Sequence, residues 1–511
     1  MKYDIIFRNA EVFDGESEGV YTDVAVSGDR IVKVGALSSS AEKEIDCSGL
    51  TLMPGIIDPH NHTDFEAVQY RECLSQLLQG VTTAVIGNCG SSGAPVGEAR
   101  YRSLTAEEKN VCTWRTFREF REAAAGAGMN LAPLIGQGSV RSAVIGYDNR
   151  APSGSDMDEM KAIVRDAMEQ GAFGLSTGLL YPPGKFAEED EIIGLAAECA
   201  PFGGIYTTHM RSEGEYIIDA IQESVRIAQG AGLPLQISHF KLKLTPDRMS
   251  ETIDKAVELV EDYRNKGMHI TVDRYPYTAS YTSLDVTLPD WVYYGGNEEE
   301  LKRIRDTETR EKIKSGMTMF DLSTVMVTDA SKNRSVSGMR VTEIAQQRGC
   351  LPEEACLQVL EENELDVGAV YFQMNEENMK KVLRLPYCAV CSDASAVNRE
   401  EGKDGGHPRK FGAFTRFLEQ YAGTLVPFTE AVRKMTVLPA EIFGIRERGR
   451  IAEGYFADIA VFDRQKIKEH ATFEHPRRYS SGLVHCAVNG ILEVKDGEFT
   501  GTRAGKILEK H

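Results

Sequence analysis

The sequence predicts an α/β fold: a (β/α)8 barrel with a small β domain assembled from the two ends of the chain. Eight apolar, strand-like runs alternate with helical stretches through the middle of the chain, the pattern of a parallel sheet with helical crossovers. Short alternating runs at each end are too few to make a stable sheet alone, so the two ends are expected to share one. Several of the eight runs finish in His, Cys or Asp, and the active site of such a barrel lies at the C-terminal ends of its strands.

Residues 1–50 alternate apolar and polar in Tyr3-Asp4-Ile5-Ile6-Phe7, Val24-Ala25-Val26 and Ile31-Val32-Lys33-Val34, with Gly and Asp between them. This is the texture of short antiparallel strands, and it returns in 451–462, 483–488 and 491–494. Segments 1–50 and 441–511 are therefore assigned to the small β domain, and 51–440 to the barrel. The barrel strands are expected at 52–58, 81–88, 130–136, 174–177, 205–209, 233–239, 269–274 and 387–393. Helices are expected between most of them, including 156–170, 213–229 and 249–266. From about 285 to 345 the chain is charged and irregular, typified by Glu298-Glu299-Glu300-Leu301-Lys302-Arg303, with its own strand candidate at 323–327. This segment reads as an insertion after the seventh barrel strand.

At 511 residues, 42% of them hydrophobic, the chain is long enough for two or three domains with a large core. A formal charge of −19 argues against nucleic acid and anionic membrane surfaces as partners. It leaves room for a small anionic substrate, because a few local cations can dominate a pocket. Of the ten cysteines, Cys388 and Cys391 sit in or beside an apolar run and read as packing. The start, Met1-Lys2-Tyr3-Asp4-Ile5-Ile6, lacks the apolar core of a signal peptide, and no stretch approaches a membrane span. A cytoplasmic chain with reduced thiols is expected.

The chemistry gathers at strand ends. His60 and His62 follow the first apolar run, and side chains two apart on a strand share a face. The second run leads into Cys89, the fifth ends in His209, the sixth in His239 and the eighth in Asp393. Each alone has an ordinary structural reading: a packed thiol, a hydrogen-bonded core histidine, a helix cap. One barrel rim would bring them all together, and imidazole with thiolate is a good donor set for Zn²⁺. Asp393 is the candidate to take a proton from water and deliver it to a leaving group. Gly87-Asn88-Cys89-Gly90-Ser91-Ser92-Gly93 is glycine-rich but lacks the G-K-[ST] ending of a phosphate loop, so nucleotide binding is rejected. His269, at the start of a strand, reads as structural, and His407 as a further candidate for the site wall.

Six motifs together resemble the N-acyl-D-amino-acid deacylases (D-aminoacylases) of the amidohydrolase superfamily, over nearly the whole chain. They are Pro54-Gly55-Ile56-Ile57-Asp58-Pro59-His60-Asn61-His62, Gly87-Asn88-Cys89-Gly90, Thr208-His209-Met210-Arg211-Ser212-Glu213, Ile237-Ser238-His239-Phe240-Lys241, Asp273-Arg274-Tyr275-Pro276-Tyr277 and Ser392-Asp393-Ala394. Many relatives in the superfamily bridge two metals with a carboxylated lysine on the fourth strand. Here that strand, Phe173-Gly174-Leu175-Ser176-Thr177-Gly178, has no lysine, and Cys89 matches the cysteine that this branch uses instead. The resemblance implies a tight zinc on Cys89, His209 and His239, and a second, weaker site on His60, His62 and Asp393. It implies substrate-carboxylate contacts from Lys241, Tyr277, Ser283 and Arg409. The implied activity is zinc-dependent hydrolysis of N-acyl-D-amino acids, small molecules, to a carboxylate and a free D-amino acid. The alternatives are another amide or cyclic-amide hydrolase of the superfamily, such as a hydantoinase or dihydroorotase, and a non-catalytic relative that keeps the barrel. The missing strand-four lysine and the presence of Cys89 argue against the first. The complete set of matched ligands argues against the second.

Overall fold

Parallel strands carry the site. In chain order they are Ile56–Asp58, Val81–Ile86, Asn130–Pro133 continued by Ile135–Gly136, Gly174–Gly178, Ile205–His209, Leu235–Ile237, Ile270–Arg274 and Cys388–Val390. Each falls within or overlaps a run expected from the sequence. The first three pair in parallel, and the rest pair in parallel from Ile135–Gly136 through to Cys388–Val390. The two groups meet through Leu134, whose N–H donates to Ile86 O at 2.9 Å. The last strand returns to the first: Asp393 N donates to His60 O at 3.0 Å, and His62 N to Ala394 O at 3.2 Å. The strands are buried throughout, as expected of parallel sheet covered on both faces. The computed structural model describes residues 3–244, 246–399 and 405–510. Gly402, Lys403 and Asp404, which precede Arg409 in the glycine-rich stretch, lie outside the described residues.

Helices pack around these strands on amphipathic faces. Gly154–Glu169 starts at a capping box, in which the Ser153 hydroxyl accepts from Asp156 N while the Asp156 carboxylate accepts from Ser153 N. Met160, Val164, Ala167 and Met168 form its buried side, at the spacing of one helical stripe. The helix expected to begin at residue 213 begins later, at Ile217 (Ile217–Ala231). The reason is a tertiary contact. Glu213 is drawn into the interior by Lys241 and Lys243 and cannot also face solvent in a first helical turn.

The two ends of the chain share a nine-stranded sheet. Thr51–Pro54, from the amino-terminal part, pairs antiparallel with Ile459–Phe462, in register Met53↔Ala460 and Leu52↔Val461. Ile5, Phe7, Val24, Val26, Ile459 and Val461 belong to one apolar cluster beneath it. After the seventh parallel strand the chain leaves for a separate module. Ser280–Ser283, Val325–Ala330 and Val367–Tyr371 make an antiparallel sheet, and the helices Asn297–Arg305, Thr307–Gly316, Val341–Arg348 and Pro352–Glu362 accompany it. Its own core runs from Leu284 to Tyr371, further than the expected 285–345. The extension follows from Val367–Tyr371, which is the middle strand of that sheet.

Candidate active site

Three residues at strand ends adopt a left-handed backbone: Cys89 at φ 52°, His239 at φ 37° and Asp393 at φ 49°. For a residue with a side chain, a strained backbone conformation of this kind costs roughly 1–3 kcal/mol. Each sits just past a parallel strand, where the turn swings its side chain across the mouth of the strands. Glycines make room at Cys89. A Cβ on Gly178 would lie 2.0 Å from Cys89 O, and Gly90, at φ +74°, passes so close to the fourth strand that a Cβ would lie 2.6 Å from Gly178 N. Only glycine fits both positions.

The side chains converge. Cys89 Sγ lies 3.3 Å from His60 Nε2, 3.5 Å from His239 Nε2 and 3.7 Å from His209 Nδ1. Zinc bound at about 2.3 Å to sulfur and 2.0–2.1 Å to nitrogen in a tetrahedron sets sulfur and nitrogen about 3.5 Å apart, so the donor set fits that ion in both chemistry and spacing. His60, Cys89 and His239 form one ligand group, His60, His62 and Asp393 a second, and His209, Glu213 and His239 a third. Asp393 Oδ1 is 3.2 Å from His62 Nε2 and 3.4 Å from His60 Nε2, while its Oδ2 is 2.8 Å from Arg409 Nη1. His60 thus stands between the two sets of ligands.

Carboxylates behind the histidines orient them. Asp273 Oδ1 accepts from His239 N at 2.7 Å and lies 3.3 Å from His60 Nδ1. With Nδ1 turned to a carboxylate, Nε2 of His60 is the nitrogen that faces Cys89. Glu213 Oε1 lies 2.9 Å from His239 Nδ1 and does the same there. Lys241 Nζ bonds Glu213 and reaches His239 Nδ1 at 2.7 Å, and Lys243 Nζ is 3.0 Å from Glu213 Oε2. Burial opposes the charge on Glu213, but the two lysines hold its carboxyl well below the usual range. Burial likewise opposes ionisation of Cys89, yet the neighbouring His60 and His239 hold the thiol well below its ordinary value. Burial, helped by the neighbouring His239, pushes His209 down to about 4.

A cavity of 450 Å³ opens over these groups. His62, Cys89, His209, His239 and Asp393 lie in its wall, and so do Lys241, Ser283 and Arg409 of the expected carboxylate contacts. The Ser283 hydroxyl is turned onto Asp285. Tyr277, the fourth expected contact, is not among the residues that line the cavity. Its hydroxyl donates to Glu469, its ring packs edge-on against His407 at 5.1 Å, and the Arg416 guanidinium covers it at 4.9 Å. Tyr181 and Tyr281 are in the wall instead. His407 also stands behind the wall, where Nδ1 accepts from Arg409 N at 3.0 Å and Nε2 meets Ala279 O at 3.0 Å. His269 is exposed at the opposite end of its strand. Glu213, Asp273 and Lys243 received no role from the sequence. The first two stand inside the quoted motifs, where an acid beside a strand or helix end is ordinarily a cap.

A model of the amidohydrolase family matches residues 43–298 and 405–492. The D-aminoacylase of Alcaligenes xylosoxydans xylosoxydans is 33% identical, covering 99% of this chain and 98% of its own. The N-acyl-D-glutamate deacylase of the same organism is 31% identical, covering 100% and 97%. The crystal structure of N-acyl-D-glutamate deacylase from Bordetella bronchiseptica, complexed with zinc and a phosphonate inhibitor, superposes with a TM-score of 0.84 at 28% identity, over 100% of both chains. The fold is the α/β, TIM-barrel type of these enzymes. The chain belongs to the amidohydrolase family, in the branch of the N-acyl-D-amino-acid deacylases.

Proposed function

We propose that this chain hydrolyses the amide bond of N-acyl-D-amino acids, releasing a carboxylate and a free D-amino acid, with zinc as its metal. One observation carries the reading: the Cys89 thiol among three imidazole nitrogens at 3.3–3.7 Å, in a cavity that also presents Lys241 and Arg409. Cys89, His209 and His239 would hold the tight zinc, with His60, His62 and Asp393 offering a second, weaker site. When bound, zinc supplies a Lewis acid for the acyl carbonyl and lowers the pKa of water to roughly 7.

The side chains do the rest. Lys241 and Arg409 attract the α-carboxylate, Arg409 with a planar fork that suits it, and Ser283 lies beside them. Asp393, held at Oδ2 by Arg409 and with Oδ1 beside His60 and His62, takes the proton from the attacking water. It then delivers that proton to the amine nitrogen, a poor leaving group until protonated. Glu213 and Asp273 fix the rings of His239 and His60.

The architecture is read with the function. The parallel strands form one closed (β/α)8 barrel over 51–440, supported by the hydrogen bonds between His60 and Asp393 and between His62 and Ala394. The shared terminal sheet extends the expected 1–50 by the strand Thr51–Pro54 and joins it to strands of 441–511, and the module after the seventh strand is the insertion. No helix of the described residues is long and apolar enough to cross a membrane. All ten cysteines are free, which supports a reducing, cytoplasmic setting.

The test is amine release from paired N-acetyl-D- and N-acetyl-L-amino acids, with the metal content of the same sample. Release from D-substrates alone by a zinc-containing protein is expected. Equal release from both enantiomers, or from neither, would reject the reading.

A further inference from the structure

The cavity has two cationic regions. Lys241, Lys243 and Arg409 lie over the sixth to eighth strands, and each already faces an anion: the lysines share Glu213, and Arg409 meets Asp393. Arg100, on the helix Glu98–Ser103, lies over the second and third strands and lines the same cavity. It is 7% exposed. Its Nη1 donates to Pro95 O at 3.0 Å and to Ser139 Oγ at 2.6 Å, and its Nη2 to Ser91 Oγ at 3.3 Å. All three acceptors are neutral. A guanidinium has five N–H donors, so some remain beyond these bonds. Among the described residues no carboxylate stands within ion-pair distance of Arg100.

The nearest acids are occupied elsewhere. Asp64 accepts from Gly87 N at 3.1 Å and Gly93 N at 2.6 Å, and Glu108 accepts from Thr105 N at 2.7 Å. Ser139 is also fully engaged: its hydroxyl accepts from Ser92 N at 2.9 Å as well as from Arg100. It holds the guanidinium in place, whereas Ser91 is exposed and free to turn. A buried cation with only neutral partners is costly, and a ligand anion relieves the cost. In a chain of charge −19, this cation is not part of a general basic surface.

We propose that Arg100, with the hydroxyl of Ser91, receives a second carboxylate of the substrate. This rests on the deacylase reading above and narrows it to dianionic N-acyl-D-amino acids. The carboxylate belongs either to the amino-acid side chain, as in N-acetyl-D-glutamate, or to the acyl group, as in N-succinyl-D-leucine. Both present the same planar anion to the guanidinium fork.

The experiment compares kcat/KM for N-acetyl-D-glutamate, N-succinyl-D-leucine and N-acetyl-D-leucine in the wild type, Arg100→Gln and Arg100→Lys, with zinc content and thermal melting recorded for each. The wild type should favour one of the dianions, and which one identifies the source of the carboxylate. Arg100→Gln should lower the dianion-to-N-acetyl-D-leucine ratio by about 10- to 100-fold, the worth of a hydrogen bond to a charged group. Arg100→Lys, which keeps the charge and loses the fork, should fall between. If Arg100→Gln fails to fold, Ser91→Ala must still lower the same ratio. Equal loss on all three substrates would make Arg100 a tie between loop and helix and overturn the proposal. So would a wild type that favours N-acetyl-D-leucine over both dianions, while leaving the deacylase reading intact. No release from any of the three would instead reject the deacylase reading itself.

Discussion

Glu213→Gln removes the anion shared by the buried Lys241 and the partly buried Lys243. Glu213 is 6% exposed and Lys241 4%, with Lys243 Nζ 3.0 Å from Oε2 and His239 Nδ1 2.9 Å from Oε1. A unit pair 3.0 Å apart attracts by about 5.5 kcal/mol at an effective dielectric of 20. The lysines lose this attraction but keep their burial. Breaking one side of such a pair costs about 3–5 kcal/mol net, because the stranded cations regain little from water and a glutamine oxygen is a weak substitute. Adding Lys243→Met to Glu213→Gln should return about 1–3 kcal/mol, as expected of residues in one network. The assay is urea denaturation of the zinc-loaded protein, followed by fluorescence and residual activity. Glu213→Gln should move the midpoint down, and the double variant should recover part of the shift. An unchanged midpoint, or a double variant whose loss is the sum of the two single losses, would refute the reasoning.

Cys89→Ala should release the tight zinc, because it removes the ligand that faces three imidazoles; full retention by elemental analysis would overturn the assignment. Asp393→Asn keeps size and some hydrogen bonding but cannot accept a proton. Its kcat should fall by roughly 10²–10⁴-fold with little change in KM, and near wild-type kcat with zinc intact would show that another group carries the proton. Amidating the substrate's α-carboxylate should lower kcat/KM sharply by leaving Arg409 and Lys241 without their anion, and equal kcat/KM for acid and amide would count against both residues. Glu493, on the strand Ile491–Lys495 of the terminal sheet, is fully buried, and burial pushes its carboxyl up to about 8. The folded chain therefore holds a proton that the unfolded chain releases near its unperturbed value of about 4.3. Stability from this group is complete below that value and is lost as pH rises toward 8, by up to about 5 kcal/mol. Glu493→Gln should match the wild type in melting near pH 5 and exceed it at pH 8; a difference that does not grow with pH would reject this account.

The parallel strands were legible because each is an apolar run and five of the eight lead into a ligand type, and burial on both faces writes that run directly into the sequence. The sharing of one sheet by both ends followed from counting strands. What was not legible depends on contacts between segments far apart in the chain. Glu213 reads as a helix start because acids favour that position, and only Lys241 and Lys243, some thirty residues on, pull it inward. Tyr277 stands inside a matching motif, yet Glu469, supplied by the carboxy-terminal part, takes its hydroxyl. Arg100 lies in no motif and would pass for a surface charge until the helix that carries Ser139 covers it.

The left-handed turns at Cys89, His239 and Asp393 show why these unseen residues matter. A strained residue persists only where its surroundings over-determine it. At His239 the determinant is the 2.7 Å bond from its N–H to Asp273 Oδ1. At Asp393 it is the 3.0 Å bond from its N–H to His60 O, and at Cys89 it is the 3.0 Å bond from Gly90 N to Ser176 Oγ. Each determinant comes from a different strand than the residue it holds. The ligand geometry is thus fixed by the circle of neighbouring strands rather than by any one segment. A peptide carrying the Gly87–Gly93 loop alone would have no reason to keep Cys89 in this conformation. The same dependence explains how Asp273, which need not touch metal or substrate, can set both the backbone of one histidine and the ring of another. It lies on the seventh strand, between the His239 and Asp393 strands, where a single carboxylate can reach both.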